Sequence, residues 1–96
     1  MLPVIRSAQF EQDLIAIWRH VAADNPAAAN RLLERIDRRV EALARFPLLG
    51  NRQPEFGENT RRIIEGNYLI FHDVLPDALH VLRVFHGARK LDRLFG

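Results

Sequence analysis

The chain has 96 residues, 48% of them hydrophobic and 27% charged, with a mean hydropathy of −0.15, which fits one modest core and predicts a single domain over residues 1–96. Cysteine is absent, which excludes a disulfide framework and a thiolate metal site and suits the cytoplasm. No apolar run reaches the roughly 20 residues that cross a bilayer, so no membrane partner is expected.

Thirteen of the 14 basic residues are arginine, and Lys90 is the only lysine. Arginine holds phosphate and carboxylate with a planar fork and stays charged. The same enrichment follows from codon bias alone, so it permits nucleic-acid binding without arguing for it. Sequence-specific DNA binding is not expected.

Residues 2–6 are short and β-prone, with Pro3 marking an edge or a strand start. Ser7 is placed to cap a first helix whose apolar stripe is Phe10, Leu14, Ile17, Trp18 and Val21. Asn25 and Pro26 form a cap and first-turn pair that ends this helix and starts a second, running to about Phe46. The second helix carries a seam of Ala29, Leu33, Ile36, Val40 and Leu43. The opposite face has Glu34–Arg38 and Glu41–Arg45 in the favourable i,i+4 order. Pro47 stops it, and the short link between the helices implies an antiparallel hairpin.

Residues 47–59 read as a loop, and three strands follow at about 60–65, 67–74 and 79–86. Gly66-Asn67 is a two-residue hairpin turn, and Leu75–Ala78 makes the next turn, with Pro76 at its first corner. Leu91, Leu94 and Phe95 have the spacing of a last helical turn. The order β-α-α-β-β-β predicts an α+β fold, a helical hairpin packed on a small antiparallel sheet.

These turns predict a register. Glu65 pairs with Tyr68, Ile63 with Ile70 and Arg61 with His72. His72 then pairs with Val81, Ile70 with Arg83 and Tyr68 with Phe85. Strand alternation puts Ile64, Leu69, Phe71, Leu82 and Val84 on one face, the expected core against the helices. The other face would gather Arg61, Ile63, Tyr68, Ile70, His72, Val81, Arg83 and Phe85, uncovered. A bulge in either hairpin would break the grouping. On a bland reading, Arg61 and Arg83 lie over Tyr68 and Phe85 and pair with Glu65 or Glu58.

No P-loop, HExxH, GxSxG or CxxC is present. His20, His72, His80 and His86 do not share metal-ligand spacing; His80 and His86 stand roughly 20 Å apart on one strand. No metal or cofactor is expected. RNA cleavage could use Arg61 and Arg83 as a phosphate clamp, with His72 or His86 moving the proton. A protein-binding reading needs only the mixed Arg/Tyr/Phe face, which has the composition of interface cores.

"RRIIEGNYLIFHDV" at 61–74 and "LHVLRVFHGAR" at 79–89, with "SAQFEQDLIAIWRHVAADNPAAANRLLERI" at 7–36 and "FPLLG" at 46–50, resemble the RelE/ParE superfamily of type II toxin–antitoxin toxins, the ParE-like branch most closely. The likeness covers nearly the whole chain. It implies a toxin that inhibits DNA gyrase by direct binding, with a role in plasmid stability. It also implies a ParD-like antitoxin partner in a hetero-oligomer of two toxins and two antitoxins or more. Its relatives of the RelE branch are ribosome-dependent mRNA endonucleases, and this is the alternative activity. A third reading is a stabilising module seen only with its antitoxin. By position, Arg61 or Arg62 matches the RelE strand arginine, Arg83 the basic residue of the last strand, and His86 the late aromatic or histidine. Gly87 stands where the nuclease branch commonly has tyrosine. Candidate target-binding residues are therefore Arg61, His72, Arg83, His86 and Arg89, and candidate antitoxin-groove residues are Trp18, Tyr68, Ile70 and Phe85.

Overall fold

The computed structural model describes residues 1–87. Seven elements follow in chain order: β1 Val4–Arg6, α1 Ala8–Ala22, α2 Pro26–Arg45, β2 Asn51–Arg52, β3 Thr60–Glu65, β4 Tyr68–Val74 and β5 Leu79–His86. The α+β class is the expected one, with β2 added to the expected order β-α-α-β-β-β. The tail residues Arg89, Leu91, Leu94 and Phe95 lie outside the described residues.

Local chemistry sets the helix starts. Ser7 is extended, and its Oγ accepts from the Phe10 N–H at 2.9 Å. Asn25 does the same for the Ala28 N–H at 3.0 Å, with Pro26 at the first helical position. Among the described residues no helix is long and apolar enough to cross a membrane.

The sheet order is β1-β5-β4-β3-β2. It is mixed rather than purely antiparallel, because β1 runs parallel to β5, with Val4 opposite Leu79. β2, inside the expected loop, pairs with β3 through Asn51 and Arg52. The first hairpin has the register expected from its turn, from Glu65–Tyr68 to Arg61–His72. Gly66 alone takes the left-handed region there, at φ +59°, the Gly-first pattern of tight hairpins.

The second hairpin departs from expectation. His72 pairs with Val81, but a bulge follows, and Phe71 pairs with Arg83, Ile70 with Val84 and Tyr68 with His86. Leu82 is the extra residue, so the parity of β5 changes beyond it.

The faces are therefore reassigned. The helices pack on the side holding Ile63, Ile70, Val81 and Val84, joined by Phe10 and Leu14 of α1 and Leu32, Ile36, Val40 and Leu43 of α2. Burying such a side chain contributes about 1.5–3 kcal/mol. On α2 the buried seam residue is Leu32, with Leu33 only partly covered. Of the expected core set, Leu69, Phe71 and Leu82 form, with Phe85, a second cluster on the opposite face, and Ile64 is exposed. Val84 of that set belongs to the helix side. Both faces are apolar, so the pattern of alternation could not say which one the helices cover.

Candidate functional site

On the face away from the helices, cross-strand pairing lays the side chains in three rows. Thr60, Asp73 and His80 make the first; Arg62, Phe71 and Arg83 the second; Ile64, Leu69 and Phe85 the third. Phe71 and Phe85 stack at 5.3 Å between ring centroids, and Phe56 from the 53–59 loop meets Phe71 edge-on at 5.0 Å. The rim is apolar as well, with Ile64 53% and Phe56 39% exposed. Among the described residues no helix covers this face. The Thr60 hydroxyl donates to the Asp73 carboxylate.

Arg83 stands at the margin of this face. Its guanidinium carbon lies 5.6 Å from the Phe85 ring centroid. Its Nε and Nη2 donate to the two Asp13 oxygens at 2.8 and 3.1 Å. Asp13 also accepts from the Val84 N–H at 3.1 Å. β1 ends at Arg6, so the edge of β5 beyond Val81 has no strand partner. α1 covers it: the Ser7 N–H donates to the Val81 carbonyl, the Ser7 hydroxyl to that of Leu82, and Asp13 takes Val84. Asp13 was missed in the sequence, although a carboxylate beside Leu14 on the apolar stripe of α1 signals a buried role.

Arg61 and His72 do not join Arg83. Their side chains point to the helix side and hold the link between α2 and β2. Arg61 Nη1 donates to the Leu48 and Gly50 carbonyls, both at 2.9 Å. His72 is wholly buried, and its Nε2 lies 3.2 Å from the Pro47 carbonyl oxygen. Burial, and to a smaller degree the Arg61 charge, push its pKa below the ordinary value. The expected grouping of Arg61, His72 and Arg83 on one uncovered face is thus corrected: the bulge at Leu82 turns Arg83 away from the other two. Arg62, paired with Phe71, is the arginine that shares the open face with Arg83.

His86 lies at the end of β5 against Tyr68, ring centroids 5.5 Å apart. Both line a cleft of about 480 Å³ with Ile17, His20, Val21 and Asp24 of the α1 side. The four expected groove residues do not share one groove. Trp18 is 37% exposed on the outside of the helical hairpin, its Nε1 donating to Asn30 at 2.8 Å. Tyr68 and Phe85 both line the cleft, Phe85 also belonging to the open-face cluster, and Ile70 is fully buried in the core.

Residues 4–91 match the model of the ParE toxin family, described as ParE toxin of type II toxin-antitoxin system, parDE. The chain belongs to this family. Its ParE-family fold has solved counterparts. The chromosomal ParDE TA system from P. aeruginosa aligns over 90% of this chain and 96% of that one, with 21% identity and a TM-score of 0.76. The RelB–RelE antitoxin–toxin complex from Methanococcus jannaschii aligns over 96% and 99%, with 22% identity and a TM-score of 0.60. At these identities the likeness speaks for the fold. No curated protein matches the sequence.

Proposed function

We propose that this ParE-family toxin acts by binding DNA gyrase, through the open face of its sheet, and is neutralised by a ParD-like antitoxin. The observation that carries the reading is the make-up of that face: Leu69, Phe71, Leu82 and Phe85 at the centre, Ile64 and Phe56 at the rim, Arg62 and Arg83 at the flanks. Aromatic and arginine side chains around an apolar centre are what protein interfaces favour. A nuclease would converge its cations on one phosphate beside a proton-transfer group. Here the two arginines straddle Phe71, and Arg83 is already held by Asp13. The solved counterparts are toxin–antitoxin systems, which supports an antitoxin partner. The cytoplasm, where both partners would be found, is the compartment that goes with this reading.

One observation favours mRNA cleavage as the second reading: Arg62 and Arg83 share the open face with His80 and Asp73, one row away. A single experiment separates the two. Purified toxin is added to a gyrase supercoiling assay and, in parallel, to translating ribosomes with mRNA read by primer extension. Inhibited supercoiling with accumulated cleaved DNA, and intact mRNA, is the expected result. Cut mRNA with unaffected supercoiling would replace the first reading by the second. Ile64→Glu, at an exposed position, should abolish gyrase inhibition in a folded protein.

A further inference from the structure

The link between the helical hairpin and the sheet, residues 46–50, presents Phe46 and Leu48 at 60% and 64% exposure. The link is held from beneath at three of its carbonyls: Pro47 by His72, Leu48 and Gly50 by Arg61. Gly50 adds a close approach, since a Cβ there would lie 2.1 Å from the Arg62 carbonyl oxygen.

We propose that Arg61 and His72 form a pH-operated clasp, which fixes residues 46–50, and with them Phe46 and Leu48, at neutral pH and releases them on acidification. The clasp is a property of the chain alone and holds whatever its target.

The geometry dictates the protonation state. A carbonyl oxygen only accepts, so His72 must carry its proton on Nε2 and donate it to Pro47. Nδ1 is then bare, buried and without a hydrogen-bond partner. A second proton at Nδ1 would add a cation beside Arg61 and create a buried donor with no acceptor.

Burial outweighs the support that the Pro47 hydrogen bond gives that charge, and the other surroundings offer the charge little relief. Arg61 on β3 opposes it. Arg52 on β2 is turned to the Glu58 carbonyl, and Arg6, at the β1 end of the same row, is held by Glu11 and by Asp37 of α2. Val81, opposite on β5, is apolar, and α2 lays Val40 and Leu43 into the core on this side. Asp73, next on β4, favours the charge, but its carboxylate accepts the Thr60 hydroxyl on the other face. A ring that leaves Pro47 for water takes from the link the first of its three attachments.

The test follows the histidine rings and the link together in ¹⁵N-labelled protein between about pH 8 and pH 5. At the upper end His72 should show the Nε2–H tautomer. As the ring charges, the Leu49 amide, bonded to the Phe46 carbonyl at 3.1 Å, should lose hydrogen-exchange protection by about tenfold per pH unit, because opening takes up one proton. This is after correction for intrinsic exchange, and amides in the middle of α1 should not change. His72→Gln, which donates to Pro47 but cannot charge, should keep its protection across the range. A ring that charges while the link stays protected would overturn the clasp, as would the same loss in His72→Gln. If that variant does not fold, coincidence of the two wild-type titrations decides alone.

Discussion

Asp13 joins Arg83 across 70 residues of sequence, Oδ2 to Nε at 2.8 Å and Oδ1 to Nη2 at 3.1 Å, and the same carboxylate accepts the Val84 N–H. The pair spans the junction of α1 and the bulged strand. Asp13 is 11% exposed at its side chain and Arg83 40%, so the two partners are not equivalent. Arg83→Ala leaves a carboxylate that still has a backbone donor and should cost about 1 kcal/mol, whereas Asp13→Ala also strands the Val84 N–H and should cost roughly 2–3 kcal/mol. Urea unfolding of both single variants and the double variant checks this. A double variant no worse than Asp13→Ala is the expected signature of coupling.

Ser7 has three tasks at one residue. Its Oγ caps α1 at Phe10, its hydroxyl donates to the Leu82 carbonyl at 2.8 Å, and its own N–H donates to Val81 at 3.0 Å. Ser7→Ala keeps only the last. The expected loss is about 1–2 kcal/mol, the upper end of a cap substitution. Thermal denaturation gives the stability change. Faster exchange of the Val84 amide would show that the bulge loosens with the cap.

Gly50 combines φ +84° with the close approach to Arg62. Neither leaves room for a side chain. Gly50→Ala should destabilise by roughly 2–4 kcal/mol, from strain and displacement of the link. Gly66, also at positive φ, has open space around it, so Gly66→Ala should cost less, about 1–2 kcal/mol from conformation alone. Chemical denaturation of the two variants side by side tests the ranking.

The pH dependence of stability has a defined sign. The folded-state pKa of His72 is lowered from 6.5 by burial and then by Arg61. Below pH 6.5 the unfolded chain takes up a proton that the folded chain refuses. Stability from this residue is therefore complete above that pH and is lost as pH falls through it, by up to about 1.4 kcal/mol per unit. Wild type and His72→Gln, unfolded in urea at a series of pH values, should diverge in slope below pH 6.5 and run parallel above it.

Local signals in the sequence translated directly into structure. Ser7 and Asn25 cap where their side chains allow, and the two-residue turn at Gly66-Asn67 fixes the β3–β4 register by arithmetic alone. The second hairpin was legible only as far as Val81. The bulge after it is held by Ser7 and Asp13, more than 65 residues away, and no local pattern announces such support. The covered face was not legible either, because Ile63, Ile70 and Val81 on one side are matched by Leu69, Phe71 and Leu82 on the other. Arg83 and Phe85 do lie on the open face, but through two offsetting shifts: the face was the opposite one, and the parity of β5 changes at Leu82. Arg61 and His72 had no such offset and turned out to hold the link.

The pairing of β1 with β5 bears on how the chain reaches its fold. Val4 and Leu79, like Ser7 and Leu82, stand 75 positions apart in the sequence. Such contacts have high contact order and a large loop-closure entropy. On the ribosome the helical hairpin can assemble early from local contacts, but β1 has no strand to join until β5 has emerged. The open face, framed by β5, is therefore among the last surfaces to take shape. A nascent toxin would stay incomplete at its proposed working surface until β5 has been translated.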